Sequence, residues 1–283
     1  MKIGNREVGG EAPCFIVAEV GLSHEGDFRN ACKLIHLAEK AEVDAVKFQV
    51  YKTNDLISRE RAPEMFERFA RVCFGYEAFG GQMQNFRPIW FATPHTESAI
   101  DFLAGIDVPC FKIGSGEANN PSFLELVAQK GKPIIASLGF RDFTSILNHP
   151  LRYRHRPLAF LHCVSEYPVP PERANLSVIT WMKKIFDPEG IVTGYSDHTV
   201  GIDACIAAVA MGAKIVEKHI KLESSTGNDV EGALFGEEFK QMVEIIRHYE
   251  SMMGDGKRVI GDEERANMQW AFKDPSDGKR PLK

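Results

Sequence analysis

Between residues 15 and 220, short apolar runs rich in Val, Ile and Phe alternate with longer stretches of helical period, in the same order throughout. Such runs read as strands buried on both faces, and parallel pairing of neighbours requires a crossover of the length found between them. The runs are FIVAEVG (15–21), AVKFQV (45–50), IWFATP (89–94) and CFKIGS (110–115), then KPIIASLG (132–139), PLAFLHCV (157–164), IVTGYSDH (191–198) and AKIVEKHI (213–220). Helical patterns follow them, among them DFRNACKLIHLAEKA, ESAIDFLAGI, NPSFLELVAQKG and EEFKQMVEIIRHYESMMG. Asp27 and Glu97 suit first turns, and Gly105 and Gly131 suit stops. The segment 53–87 predicts one or two helices on a rim.

Eight strand–helix units in 283 residues predict a closed TIM (β/α)8 barrel. The barrel domain is expected over 1–270, with a linker-like tail over 271–283. An open, doubly wound sheet shows the same alternation, but no G-x-G-x-x-G follows the first run.

The formal charge of -5 and the absence of long one-sign runs argue against a nucleic-acid partner. No run is long enough to span a bilayer, and the N-terminus lacks a signal pattern. Six cysteines, irregularly spaced and without a C-x-x-C pair, read as buried thiols in a reducing compartment, so a cytoplasmic protein is expected.

In a barrel, the ends of the strands carry the site. Polar residues recur there: Glu19, Lys47 and Gln49 on one face, Thr93, Lys112, then Ser115 and Glu117, Ser137, and His162. Ser196 and His198 share a face, as do Glu217 and His219. Each alone has a bland reading, since a strand lysine can run over an outer helix and a lone histidine is commonly a bonded core residue. His162 fits that description, and His36, His149, His155 and His248 read as surface residues. Together the pattern is harder to dismiss, because a lysine buried without a partner costs several kcal/mol, roughly. Lys47 and Lys112 with Ser115, Ser137 and Ser196 would form a ring of donors for a small, doubly anionic molecule. The paired histidines suit either a catalytic divalent ion with vacant positions or acid–base chemistry without metal.

At these residues the chain resembles the N-acetylneuraminate (sialic acid) synthase family, including the pseudaminic and legionaminic acid synthases. The resemblance rests on IVAEVGLSHEGD, DAVKFQ, FATPHTESAIDFL, FKIGSGE, GKPIIASLG, LHCVSEYPVPPERANL, GYSDHTVG with EKHI, and GNDVEGALFGEEF, spanning about 15–267. It implies a TIM barrel, a homodimer, and condensation of phosphoenolpyruvate with an N-acylated hexosamine to a nine-carbon 2-keto acid and phosphate. It implies a divalent ion, Mn2+ or Mg2+, on His198 and His219. Lys47, Thr93, Lys112, Ser115, Ser137 and Ser196 would hold phosphoenolpyruvate, with Gln49 and Glu117 beside them and Glu117 placing water or moving a proton. Glu19, Tyr167 and Asp229 would meet the sugar. For Glu217 a place in the site and a structural salt bridge are both open.

The chain also departs from the family. An antifreeze-like domain commonly follows the barrel, and here the chain is expected to be the barrel without it. SHEG (23–26) stands for the usual N-H-N-G and brings Glu25 toward the sugar side. NDV replaces P-D-H around Asp229, His95 replaces an aromatic, and SLGF replaces S-T-G-M, leaving Leu138 after Ser137. These changes concern the sugar more than the anion. Two other classes stay open: a non-catalytic sugar-binding barrel, and an aldolase or lyase using Lys47 or Lys112 as a Schiff base.

Overall fold

A computed structural model describes residues 1–80, 86–155, 157–227 and 229–280. It opens with an antiparallel hairpin, β1 (Lys2–Ile3) and β2 (Arg6–Glu7), which the sequence reading did not foresee. All eight anticipated strands follow: β3 (Phe15–Gly21), β4 (Ala45–Val50), β5 (Ile89–Pro94), β6 (Phe111–Ile113), β7 (Ile134–Ser137), β8 (Leu158–Cys163), β9 (Val192–Asp197) and β10 (Ile215–His219). They pair in parallel in chain order, and β10 pairs with β3 to close the ring. The fold is therefore a TIM (β/α)8 barrel, and the open sheet is excluded.

Strand alternation divides the core in two. Phe15, Val17, Ala45, Phe91, Cys110, Ile135, Ala159, Leu161, Val192 and Ile215 pack together inside the barrel. Ile3 of β1 and Val8, just after β2, join this inner cluster and plug one end. Ionic contacts fix the plug, with Asp44 pairing with both Arg6 of β2 and Arg247. The alternate residues, such as Ile16, Ala18, Val20, Val46 and Phe48, face the helices in a second, larger cluster.

That outer layer also holds a buried ion pair. Lys218 of β10 lies beside Asp197 of β9 in the strand register, with Nζ 2.6 Å from the carboxylate. Asp197 also accepts from Tyr195 Oη (2.8 Å), Thr199 N (2.9 Å) and Thr199 Oγ1 (3.1 Å). The Lys218 ammonium donates to the Thr199 carbonyl as well. Every charge here has its hydrogen bonds, the condition for tolerating it in an apolar layer.

Local signals explain the helix boundaries. Asp27 caps Phe28–Lys40 by accepting from Arg29 N, and Thr96 caps Glu97–Gly105 by accepting from Ala99 N. Gly131, at φ +68, ends the segment after Pro121–Ala128 as anticipated. The helix Glu97–Gly105 ends at Gly105 as anticipated, although the positive φ (+59) falls at Asp107, a residue type that tolerates this conformation. Segment 53–87 carries three short helices, Thr53–Leu56, Pro63–Val72 and Glu77–Gly80, and residues 81–85 lie outside the described part.

Two histidines expected at the surface are buried. His149 caps Pro150–Arg154 through Nδ1 and packs edge-on against Phe160, and burial lowers its pKa to about 4. His155 Nε2 bonds the Lys132 carbonyl at 2.9 Å. Both are placed by tertiary contacts that a single-sequence pattern does not carry. All six cysteines are in the thiol form; Cys14, Cys110, Cys163 and Cys205 are buried, and Cys32 and Cys73 are partly exposed.

The chain divides into two units, Met1–Tyr249 and Glu250–Lys283. The first contains the whole barrel. The second contains the helix Asp262–Ala271, which buries none of its residues, although the sequence reading ran the barrel domain to residue 270. No helix among the described residues is long and apolar enough to cross a membrane.

Removing one member of the Asp197–Lys218 pair strands the other charge. Lys218→Ala is expected to cost about 3–5 kcal/mol, read as a lower urea midpoint. The double variant Asp197→Asn/Lys218→Met should recover most of that loss. A single variant as stable as the wild type would show the pair to be dispensable.

Candidate active site

The inward parity that lines the barrel core with apolar side chains near the hairpin continues to the other end of each strand with polar ones. Val17 is followed by Glu19, Ala45 by Lys47 and Gln49, and Phe91 by Thr93. Ile135 is followed by Ser137, Leu161 by Cys163 and Ile215 by Glu217 and His219. The register sets Glu19 between Lys47 and His219 on its two neighbours, and Glu217 beside Ser196. These residues line one cavity of about 210 Å³ at the C-terminal mouth.

Its floor is a charged network. Lys47 Nζ lies 2.8 Å from Glu19 Oε2 and 3.6 Å from Glu217 Oε2, and donates to Thr93 Oγ1 at 3.1 Å. Lys112 Nζ donates to Ser137 Oγ at 2.7 Å and lies 3.7 Å from Glu217 Oε1. Ser196 Oγ donates to Glu217 Oε1 at 3.0 Å, and Gln49 Nε2 to Glu19 Oε1 at 3.3 Å. Lys47, Lys112, Glu19 and Glu217 are at most 6% exposed.

Burial opposes every charge, so the partners decide. For Lys47 burial is outweighed by Glu19 and Glu217, and its pKa is raised. For Lys112 burial wins over the attraction of Glu217, and its pKa is lowered. Glu217 is pushed up by burial but pulled down further by Lys112, Lys47 and Ser196, to about 2. A salt bridge and a place in the cavity are therefore the same fact for Glu217.

The histidines sit at the rim of this floor. The rings of His198 and His219 are 5.6 Å apart between centroids. His198 Nδ1 is 3.0 Å from the Val164 carbonyl, which can only accept, so Nδ1 carries the hydrogen and Nε2 keeps its lone pair. His219 Nδ1 is buried without a hydrogen-bond partner. A β-carbon placed on Gly21, where β3 bulges and φ is +50, would lie 3.2 Å from Glu19 Oε1 and 3.4 Å from His219 Nδ1. Carboxylate and imidazole thus converge over a residue that keeps no side chain between them. Among the described residues no three His, Cys, Asp or Glu side chains are grouped as metal ligands. What is present fits a divalent ion that takes two protein nitrogens and fills its remaining positions from water or substrate.

Of the residues given a catalytic, substrate-binding or metal-ligating role from the sequence, Asp229 alone stays off the cavity wall. Its charge still acts on Tyr167, whose pKa is raised chiefly by burial and further by Cys163 and Asp229. Tyr167 leans over His198, with centroids 4.3 Å apart. His162 faces outward, bonding the Ala174 carbonyl at 2.8 Å, as its bland reading had it. Glu25 is spent on the rim, accepting from Thr226 N (2.5 Å) and Oγ1 (2.9 Å). Ser225 Oγ donates to the Ser23 carbonyl at 2.8 Å, so the loops after β3 and β10 are clasped together.

Among the wall residues with no role assigned from the sequence are Cys163 and His95. Cys163 lies between Ser115 Oγ (3.7 Å) and His198 Nδ1 (4.0 Å). Parity on β8 points it inward after Leu161, a signal masked by its apolar neighbours. His95 Nδ1 lies 2.6 Å from Glu117 Oε1, a contact between two loops that no local spacing encodes.

Comparison with known proteins gives one consistent answer. Residues 34–258 match the NeuB family. The chain is 34% identical over 273 residues to the N-acetylneuraminate-9-phosphate synthase of Mus musculus, covering 90% of this chain and 75% of the relative. It is 32% identical to a pseudaminic acid synthase of Campylobacter jejuni, covering 99% and 87%. A crystal structure of the N-acetylneuraminic acid synthetase of Leptospira borgpetersenii in complex with citrate superimposes with a TM-score of 0.85 at 32% identity, covering 95% and 94%.

The Glu217 network makes a pH prediction. A carboxylate whose folded pKa lies below its ordinary value of 4.5 contributes stability that is present above that value and lost as pH falls toward about 2. Glu217→Gln should therefore melt below the wild type by a constant margin from pH 7 to 5, and the margin should shrink below about pH 4.5. A margin that widened on acidification would refute the assignment.

Proposed function

The chain belongs to the NeuB family, whose matched relatives are sialic-acid-type synthases, and from that membership we propose that it condenses phosphoenolpyruvate with an N-acylated hexosamine. The products are a nine-carbon 2-keto sugar acid and phosphate. The observation that carries this reading is the meeting of two buried lysines, a set of hydroxyls and two histidines with free lone pairs in one cavity.

The lysines and the hydroxyls of Thr93, Ser115, Ser137 and Ser196 hold the carboxylate and phosphate of phosphoenolpyruvate. Carbon C3 bonds to the sugar's aldehyde carbon, whose oxygen gains a proton. Water adds at C2 and loses a proton, and the C2–O bond to phosphate breaks. Glu117, on the cavity wall, accepts that proton in this reading. Burial raises its pKa, but the bond and charge of His95 outweigh burial and hold it below the ordinary carboxylate value. Glu19 and Tyr167 line the side on which the sugar binds, and the charge of Asp229 reaches Tyr167.

His198 and His219 are the residues that would hold a divalent ion, Mn2+ or Mg2+. When bound, such an ion supplies Lewis-acid polarisation of a carbonyl oxygen. Charge balance supports it: Glu19 and Glu217 already match the two lysines, so a multiply charged anion needs further positive charge beside it. A second reading, a Schiff base at Lys112, is favoured by the burial that lowers its pKa, and borohydride trapping with a keto acid distinguishes it.

Phosphate release is expected only when phosphoenolpyruvate, an N-acylated hexosamine and a divalent ion are present together. His198→Ala should lower turnover by at least about 100-fold and weaken Mn2+ binding measured by calorimetry, with the melting temperature little changed. Undiminished turnover in chelator would overturn the role of the ion. Keto-acid trapping without phosphate release would favour the lysine route.

A further inference from the structure

We propose that His95 is the positioning residue of the cavity, fixing one oxygen of Glu117 so that the other is presented as the proton acceptor for the attacking water. The proposal rests on the condensation reading above. Glu117 Oε1 takes the hydrogen of His95 Nδ1 at 2.6 Å, and both side chains are under one-fifth exposed. The carboxylate can only accept, so Nδ1 is the protonated nitrogen and the imidazole is locked in one tautomer. His95 Nε2 is sealed from solvent without a partner, which removes the ring itself as an acceptor for water. The ring is held from two sides, by its backbone N–H on the Val50 carbonyl (3.0 Å) and by the edge of Tyr51 at 6.1 Å between centroids.

The second oxygen points the other way. A β-carbon on Gly114 would lie 2.6 Å from Glu117 Oε2 and 3.7 Å from the Thr93 methyl group. Oε2 therefore lies over the bare backbone of Gly114, and Gly114, Glu117 and Thr93, which accepts from Lys47, all line the cavity. The charged groups facing the pair are Lys112 of β6, which also favours the ionised carboxylate, and Arg141, which donates to the carbonyl of the adjacent Ala118. Tyr51 faces it from the loop after β4, and its pKa is raised by burial.

Proton balance closes without another reactant. The proton that water loses on bonding to C2 goes to Oε2, and an equal proton is taken up by the former aldehyde oxygen. His95 exchanges none.

The test compares His95→Phe with His95→Asn, whose amide N–H can stand where Nδ1 does. Losing the bond raises the Glu117 pKa, and the base works only when ionised, so the acid limb of the kcat/KM profile should move to higher pH in His95→Phe. At pH 7, kcat should fall roughly 10–100-fold with KM for phosphoenolpyruvate little changed. His95→Asn should restore both toward the wild type, and a thermal melt checks that each variant folds. An unshifted acid limb in a folded His95→Phe overturns the proposal. An independent readout needs no turnover: the 15N shift of His95 in the resting protein should report an Nδ1–H tautomer in the wild type and lose that preference in Glu117→Leu, which leaves no acceptor. Absence of that tautomer also overturns the pairing, whereas its presence in a protein that releases no phosphate would count against the condensation reading alone.

Discussion

Two ammonium groups and two carboxylates occupy the upper layer of this barrel almost without water, and each is tolerable only because of the others. Taking one charge into such a layer costs several kcal/mol, roughly, and mutual attraction offsets that only when the remaining donors and acceptors are also satisfied. Thr93, Ser137, Ser196 and Gln49 complete the network at hydrogen-bond distance. The polar parity of seven strands has to be held at once, since a one-residue slip of any of them would turn its polar group toward the helices. The apolar inner cluster and the hairpin plug beneath serve this end by fixing the register from below.

The same strands carry polar groups on both faces. Ser196 and Glu217 point into the barrel, while Asp197 and Lys218, next in sequence, form a fully paired contact against the helices. The outer pair is saturated by Tyr195 and Thr199 and has no room for a ligand. The inner set opens on a cavity, and its histidines keep unused lone pairs. Satisfaction, more than charge, separates a structural pair from a reactive one.

Much of this was legible in the sequence because a strand's two-residue period converts spacing into facing. The strands and the shared faces of Lys47 with Gln49, Ser196 with His198 and Glu217 with His219 follow from it directly. What the period cannot encode is contact between loops. The meeting of His95 with Glu117, the clasp of Glu25 on Thr226 and the burial of His149 and His155 all depend on where crossovers return. Cys163 was hidden for another reason, since a thiol among apolar residues looks like core from the sequence alone. The hairpin β1–β2 was missed because two-residue strands leave no period to read.

The closure of β10 on β3 has a bearing on how the protein comes to exist. A ribosome delivers the chain from its amino end, so Lys47 and Lys112 emerge well before Glu217, the acid that answers both. Until the last strand docks on the first, those cations stay hydrated and the sheet keeps two raw margins open to solvent. The pocket therefore cannot be complete before the ring closes, because the strand that completes the ring also delivers the carboxylate that faces both lysines.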